Sequence, residues 1–310
     1  MPIDLVHKTL IVVAGPTAVG KTAVSIMLAR EFGAEIISAD SRQLFRELTI
    51  GTAKPSAEEL AAVRHHFINY LSINEQYNAA QYGEEATRLI YSLFEQKDFL
   101  IMCGGSGLYI KAALEGFDDI PAIDPKTREG IRRDYESNGL GWLQEQLKQY
   151  DPEYFQIVDK QNPQRMMRAL EVVLDTGSSI QIFFKKSRHQ HPFRVLKVGL
   201  ELPREDLYAR IDGRMDDMIA SGLFEEARQL YEHRHHNALQ TVGYQEVFGY
   251  LDGFYDREEA IRLLKRNSRH YAKRQLTWFR RDPEIRWFNP TEIDNIVDWI
   301  KSQTTEPGQL

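Results

Sequence analysis

The chain has 310 residues, of which 42% are hydrophobic and 27% charged, and its formal net charge is −6. This composition is typical of a globular protein with one large domain or two modest ones. A single cysteine, Cys103, excludes an internal disulfide, and no apolar run approaches the roughly 18 residues that a membrane helix requires. Because the first residues do not resemble a secretory signal, we expect a cytoplasmic protein without membrane association.

The first predicted elements are a strand, a glycine-containing loop and a helix. Residues 9–13 are β-branched and apolar on both faces, which indicates a strand buried in a parallel sheet. The loop that follows matches the P-loop pattern and reads Gly15-Pro16-Thr17-Ala18-Val19-Gly20-Lys21-Thr22. Beyond it a helix is predicted up to Gly33, with one apolar face made by Ala23, Val24, Met27, Leu28 and Glu31.

This P-loop is expected to bind a diphosphate or a triphosphate. Gly15 and Gly20 let the backbone turn successive N–H groups inward around phosphate oxygens at a helix N-terminus. Lys21 adds a positive charge, and the Thr22 hydroxyl can bind Mg²⁺. The motif alone does not distinguish an NTPase, a kinase or another enzyme with a pyrophosphate-bearing substrate.

Two further strands precede polar or glycine-rich loops. Residues 34–38 lead to Asp40, and residues 99–102 lead to the loop that contains Ser106. Strands that alternate with helices predict an α/β fold, a P-loop NTPase-like doubly wound parallel sheet with ligands at the carboxyl ends of its strands. Gly15, Asp40 and Ser106 are therefore expected to converge on one crevice.

Asp40 is the main candidate for chemistry in this crevice. Its carboxylate can face phosphates bound at the P-loop, although an aspartate at this position can also cap a turn or helix. The strand of residues 99–102 is followed by Cys103 where a nucleotide hydrolase often has an acid, and this disfavours nucleotide hydrolysis.

A helical insertion is predicted in the middle of the chain. Asp124 and Asn162 each precede a proline, as helix N-caps do, and Gly139 and Gly177 are expected to end helices. We therefore divide the chain into a first core part of residues 1–118, an insertion of residues 119–194 and a second core part of residues 195–310.

The second core part is expected to be mostly helical after a strand at residues 195–200. Its last residues, 301–310, form a polar tail that is predicted to be disordered. Basic residues recur at helical spacing and predict either a nucleic-acid contact or a solvated face: Arg262, Arg266, Arg269, Lys273 and Arg280.

Several motifs together resemble the tRNA dimethylallyltransferase (tRNA isopentenyltransferase) family. They occur in the expected order over about residues 10 to 290. They are the P-loop, Ser38-Ala39-Asp40-Ser41-Arg42-Gln43, Ile50-Gly51-Thr52-Ala53-Lys54-Pro55, His65-His66-Phe67-Ile68, Gly104-Gly105-Ser106-Gly107-Leu108-Tyr109, the stretches 164–171 and 243–246, and the stretch 271–280.

The resemblance implies transfer of a dimethylallyl group from dimethylallyl diphosphate to N6 of the adenosine immediately 3′ of the tRNA anticodon, with release of pyrophosphate. It implies that the P-loop holds the diphosphate, that Asp40 is the general base, and that Thr22 binds Mg²⁺. Ser106 would lie near the transferred group, although the family more often has threonine there. Arg214 would bind pyrophosphate, and the choice between Arg214 and Arg210 stays open.

The resemblance also implies a set of tRNA contacts. The helical insertion would hold the anticodon stem-loop, and a monomer would be adequate. The implied contact residues are Asp40, Ser41, Arg42, Gln43, Ser106, Arg128, Gln164, Arg165, Met166, Met167, Arg168, Gln240, Thr241, Val242, Gly243, Tyr244 and Gln245.

Three alternatives remain at this point. A prenyltransferase acting on free AMP or ADP would share the P-loop and Asp40 but would not need the insertion. A P-loop small-molecule kinase would consume ATP. A non-catalytic RNA-binding protein would lose no function when Asp40 is replaced.

Overall fold

The structure is a computed structural model that describes residues 5–118, 120–184 and 191–304. The chain divides into two compact units, Met1–Glu115 with Gln190–Leu310, and Gly116–His189. We call the first the core unit and the second the insertion unit. The division into functional domains that the sequence suggests, with an insertion at residues 119–194, stays a prediction.

The core unit is built on one six-stranded parallel sheet. Its strands are β1 (Thr9–Ala14), β2 (Glu35–Ser38), β3 (His65–His66), β4 (Phe99–Gly104), β5 (Arg194–Leu200) and β6 (Arg286–Phe288). Their order in the sheet is β3-β2-β4-β1-β5-β6, and every pair is parallel. The predicted P-loop NTPase-like α/β fold is confirmed. The two-residue β3 and the three-residue β6 were not predicted, because strands this short carry no periodicity.

The central strand β1 shows why the sheet is buried on both faces. Leu10 and Val12 point into one hydrophobic cluster, whereas Ile11 and Val13 point into the other. Alternate side chains of a strand point to opposite faces, so an unbroken apolar run requires a core on each side. The carboxyl ends of β1, β2 and β4 consequently lie side by side, as the predicted crevice requires.

Helices cover both faces of this sheet. In the core unit they are α1 (Lys21–Glu31), α2 (Ala57–Ala62), α3 (Ala79–Leu93), α4 (Gly107–Glu115), α8 (Arg204–Ala220), α9 (Leu223–Gln229), α10 (Tyr244–Leu251), α11 (Arg257–Phe279) and α12 (Ile293–Thr304). Short 3₁₀ helices add to them at Tyr231–His233 and Asn237–Leu239, and another lies in the insertion unit at Ile180–Phe183. No helix in the described ranges has both the length and the apolar character needed to cross a membrane.

Two predictions about helices were wrong. The face of α1 expected to be apolar includes Ala23 and Met27, which are exposed, whereas Ser25 and Ile26 are buried. Helix α1 packs beside both β1 and β4, so its buried surface is wider than the single stripe that was assumed. The first residues of the expected polar tail belong to α12, which continues to Thr304, and the rest of the tail lies outside the described residues.

The insertion unit consists of helices around its own small core. They are α5 (Pro125–Tyr150), α6 (Pro152–Ile157) and α7 (Pro163–Thr176). The predicted caps are confirmed: the side chains of Asp124 and Asn162 accept backbone N–H groups at the starts of α5 and α7, and Gly177 ends α7 in the left-handed conformation. Gly139 interrupts α5 with φ 74°, so the two helical segments meet there at a kink.

Candidate active site

The P-loop connects β1 to α1 and is held in a tight conformation. Gly15 cannot be replaced without displacing the backbone, because a Cβ there would lie 2.7 Å from the carbonyl oxygen of Leu200. Gly20 has φ 106° and immediately precedes α1. The loop therefore ends at a helix N-terminus, where unpaired backbone N–H groups and the helix dipole favour an anion.

Lys21 is folded back onto this loop. Its Nζ donates hydrogen bonds to the carbonyl oxygens of Gly15 at 3.0 Å and Pro16 at 2.7 Å. Desolvation by the surrounding protein lowers the pKa of Lys21 from 10.5 to about 8, against the nearby charge of Asp40. A bound polyanion would reverse this effect, because an opposite charge favours the protonated amine.

Asp40 lies just beyond β2 and is fixed by its own turn. Its Oδ1 accepts the backbone N–H groups of Arg42 at 2.9 Å and Gln43 at 3.3 Å. The turn-capping interpretation of Asp40 is therefore correct for this oxygen. The same side chain also lines two cavities, so capping orients the carboxylate without removing it from the crevice.

The two cavities meet at Asp40 and differ in their linings. The larger has a volume of about 80 Å³ and is lined by residues that include Thr17 and Ala18 of the P-loop, Arg214 and Tyr271. The smaller has a volume of about 40 Å³ and is lined by residues that include Lys21, Thr22, Ser38, Cys103 and Gly104. A single carboxylate thus faces both the phosphate-binding residues and a second, wider space.

Ser106 lies next to the Asp40 turn, as the predicted convergence requires. Its Oγ accepts the backbone N–H of Ser41 at 3.0 Å and lies 3.2 Å from the Ser41 Oγ. Its own backbone N–H donates to the carbonyl oxygen of Ala39 at 3.2 Å. The loop after β4 is therefore tied directly to the loop after β2.

Arg214 and Arg210 have different surroundings. Arg214 on α8 lines the larger cavity with Asp40, and burial lowers its pKa while the charge of Asp40 opposes that shift. Arg210, one turn earlier, donates from Nη1 to the carbonyl oxygen of Val19 at 3.4 Å. Arg214 is accordingly the arginine that faces the cavity, and Arg210 supports the P-loop from outside.

Gln275 is a site residue that the sequence did not reveal. This buried side chain of α11 accepts the backbone N–H of Thr17 at 2.8 Å and donates to the carbonyl oxygen of Gly105 at 2.9 Å. It thus joins the P-loop to the loop after β4. A lone glutamine in a long helix has no distinctive spacing, and only its inclusion in a family-like motif marked it.

Four of the predicted tRNA contacts of the core unit line the larger cavity, namely Asp40, Arg42, Thr241 and Val242. Arg42 donates from Nη1 to the carbonyl oxygen of Asn237 at 2.8 Å, and Gln43 donates to the carbonyl oxygens of Thr52 and Ala53. Within the segment 240–245, Gln240 and Gln245 are exposed, Thr241 and Val242 line the cavity, and Gly243 is buried. The Tyr244 side chain is fully buried, which argues against a direct tRNA contact by this ring.

In the insertion unit, the predicted contacts have mixed exposure. Gln164 and Arg165 are exposed, whereas Met166 is completely buried in the core of the unit and supports the helix instead of facing solvent. Met167 is half-buried. Arg128 and Arg168 both approach the buried Glu171 carboxylate, at 3.5 Å and 3.1 Å, so their guanidinium groups are held together.

The basic stripe expected along α11 is partly neutralised. Ion pairs join Arg262 to Glu259, Arg269 to Asp212 and Arg280 to Glu201, so the alternative of a solvated face fits these three residues. A different basic surface occurs at the end of α11. Its surface cavity of about 210 Å³ is lined by Lys273, Arg274, Thr277, Trp278 and Arg281.

Comparisons with known proteins agree with this architecture. A family model described as IPP transferase matches residues 43–282. The tRNA dimethylallyltransferase of Cytophaga hutchinsonii is 50% identical over 303 residues, which are 98% of this chain and 100% of that relative. The tRNA dimethylallyltransferase of Christiangramia forsetii is 48% identical and covers 95% of this chain and 98% of its own length.

Solved structures give the same result. The tRNA isopentenylpyrophosphate transferase of Bacillus halodurans is 38% identical, with a TM-score of 0.71 over 96% of this chain and 97% of that one. A eukaryotic dimethylallyltransferase acting on tRNA is 26% identical, with a TM-score of 0.77 over 96% of this chain and 77% of that one. The resemblance found in the sequence motifs is confirmed, and the chain belongs to the IPP transferase family.

Proposed function

We propose that this protein is a tRNA dimethylallyltransferase. It transfers a dimethylallyl group from dimethylallyl diphosphate to N6 of the adenosine immediately 3′ of the anticodon, and it releases pyrophosphate. The observation that carries this proposal is the position of Asp40, which lines both the cavity of Lys21 and Thr22 and the larger cavity of Arg214. A carboxylate at that junction can take a proton from an acceptor in the larger cavity while it lies beside the residues that bind the diphosphate donor.

The leaving diphosphate is stabilised by groups that are already oriented. The P-loop ends at the start of α1, the Lys21 side chain lines the smaller cavity and Arg214 lines the larger one, and Asp40 is common to both cavities. Negative charge grows on pyrophosphate as the allylic C–O bond breaks. Fixed positive groups stabilise that charge without reorganising during the reaction, which makes this effect large.

Magnesium fits the oxygen donors of the smaller cavity. The Thr22 hydroxyl lies there with Ser38 and Asp40, and Mg²⁺ prefers a few such oxygens together with substrate phosphates and water. We therefore propose Thr22 as the protein ligand. When bound, the ion would neutralise part of the diphosphate charge.

Asp40 is proposed to accept the proton of the acceptor amine. The N6 lone pair of adenine is delocalised into the ring, so the amine is a weak nucleophile. As the new C–N bond forms and the allylic C–O bond breaks, N6 loses a proton to the carboxylate of Asp40. The two backbone N–H bonds to Oδ1 hold the carboxylate in place for this transfer.

The tRNA is proposed to bind over the larger cavity and along the insertion unit. In a stacked loop the target base cannot reach Asp40, so it must leave its stack and enter the cavity, as other base-modifying enzymes require. Arg42 and the segment 240–242 would contact the loop, and Lys273, Arg281 and Trp278 offer cations and an aromatic ring nearby. Arg128, Arg165 and Arg168 would hold phosphates from the insertion unit.

One assay separates this function from its rivals. The purified protein is incubated with Mg²⁺, radiolabelled dimethylallyl diphosphate and unmodified tRNA whose anticodon is followed by adenosine, or with AMP in place of tRNA. We expect label in tRNA at that adenosine and none in AMP. Label in AMP alone would favour an adenylate prenyltransferase, and ATP consumption without prenyl transfer would favour a kinase.

A further inference from the structure

Two walls of the larger cavity depend on one carboxylate that does not line it. The first wall is the loop of residues 49–52, which contributes Gly51 and Thr52. The second is the segment before α10, which contributes Thr241 and Val242. The first wall is hydrogen-bonded directly to Glu226, a half-buried residue of α9. The second wall is followed by Tyr244, the first residue of α10, whose hydroxyl also donates to Glu226.

Glu226 receives four hydrogen bonds. Its Oε2 accepts the backbone N–H groups of Thr49 at 3.1 Å and Ile50 at 2.8 Å, and its Oε1 accepts that of Gly51 at 2.9 Å. The Tyr244 hydroxyl donates to the same Oε1 at 2.6 Å. Three consecutive N–H groups around one anion form an anion-binding loop, and here the anion is supplied by the protein itself.

The contacts around this carboxylate leave little freedom. The Tyr244 ring is fully buried, and a Cβ added to Gly51 would lie 2.6 Å from it. Helix α9 is anchored by Leu223 and Ala227, which are completely buried. Glu226 therefore connects α9 to the first wall directly and to the second wall through Tyr244, two residues after Val242.

The first wall is also connected to the proposed base. The carbonyl oxygens of Thr52 and Ala53 accept hydrogen bonds from Gln43 Nε2, and the Gln43 backbone N–H donates to Asp40 Oδ1. A displacement of the 49–52 loop would therefore change the shape of the cavity beside Asp40. The P-loop has separate supports in Gln275 and Arg210.

We propose that Glu226 is a positioning residue that shapes the acceptor side of the active site. It does so by holding the 49–52 loop and the first residue of α10, Tyr244, in fixed positions relative to Asp40. This inference rests on the proposed function, because it assigns to the tRNA adenosine the side of the larger cavity that these two walls form. It predicts that loss of the carboxylate raises the KM for the tRNA acceptor but leaves the KM for the diphosphate donor unchanged.

The test compares Glu226→Gln with Glu225→Gln in the full chain. Glutamine keeps the size of Glu226 but replaces one acceptor oxygen with an NH₂ group that faces backbone N–H donors. We expect the KM for unmodified tRNA to rise about tenfold, as expected for the loss of one charge-assisted hydrogen bond, with the KM for dimethylallyl diphosphate unchanged. Glu225 is exposed on the same helix, and its variant should keep both KM values.

Amide hydrogen exchange supplies a second readout that needs no substrate. In Glu226→Gln, the amides of residues 49–51 should exchange faster than in the wild type, whereas those of the P-loop should not. Tyr244→Phe removes only one of the four bonds and should raise the KM for tRNA by a smaller factor. It provides the kinetic test if the glutamine variant does not fold.

The outcomes are distinct. A lower kcat with both KM values unchanged would mean only a loss of folded enzyme and would overturn the positioning role, as would unchanged exchange at residues 49–51. If the wild type transfers no dimethylallyl group to tRNA, the proposed function fails. Exchange at residues 49–51 then decides whether Glu226 holds the loop.

Discussion

Replacing Asp40 with asparagine tests the proposed base with little disturbance of the structure. The Oδ1 of Asp40 caps its own turn through the N–H groups of Arg42 and Gln43. Asparagine can keep both bonds, because its carbonyl oxygen accepts hydrogen bonds as the carboxylate does. Alanine would remove the cap and the base together, so asparagine is the more informative change.

The expected effect follows from the role of the carboxylate. Without a base, turnover should fall by roughly two to four orders of magnitude, or about 3 to 5 kcal/mol in transition-state free energy. The charge of Asp40 also favours the protonated forms of Lys21 and Arg214 but repels a diphosphate. The two effects on donor binding oppose each other, so the KM for dimethylallyl diphosphate should change far less than kcat.

The assay measures single-turnover transfer to tRNA at saturating donor and tRNA, together with tRNA binding. Binding by Asp40→Asn should stay within a few-fold of the wild type. The alanine variant should lose at least as much turnover and also some stability, because two capping bonds are lost. Turnover of Asp40→Asn within tenfold of the wild type would remove Asp40 from the role of base.

Three other predictions concern the cations and the amide of the site. Since the pKa of Lys21 is lowered to about 8, kcat/KM for the diphosphate should decline as pH rises through about 8. Lys21→Met should lose that pH dependence, and a profile that still falls near pH 8 in the variant would show that another group causes the decline. Gln275→Leu leaves a backbone N–H and a carbonyl unpaired, so urea denaturation should show a free energy of unfolding lower by about 1 to 3 kcal/mol. A variant as stable as the wild type would contradict the role of Gln275 in joining the two loops. Charge reversal of Arg165 and Arg168 should weaken tRNA binding and flatten its salt dependence relative to the control Arg133→Glu, and an unchanged slope would argue against phosphate contacts there.

The sequence predicted the parts of the site that lie in a local pattern. The P-loop and the residue after β2 follow from strand, loop and helix signals, because a parallel sheet brings the carboxyl ends of its strands together. Helix caps such as Asp124 and Asn162 could be predicted for the same reason, since the capping side chain accepts the N–H of a residue only two or three positions away.

Contacts between residues distant in sequence could not be predicted from such local patterns. Gln275 lies 258 residues from Thr17, and Glu226 lies 175 residues from Gly51, so no local spacing marks either pair. The same limitation explains the basic stripe of α11. Helical periodicity placed Arg262, Arg269 and Arg280 on a common face but could not reveal the acids that neutralise them.

The site buries two cationic side chains, and this burial disfavours their charged forms unless a bound anion compensates for it. Burial lowers the pKa of both Lys21 and Arg214, which means that folding disfavours their charged forms. For Lys21 the unfolded chain holds more protons than the folded one between about 8 and 10.5, so this group makes the free energy of unfolding rise as pH increases through that interval. A diphosphate removes the disadvantage by supplying the missing negative charge. Burying these two positive charges therefore lowers the free energy of unfolding, and donor binding should stabilise the fold in addition to supplying the reactant.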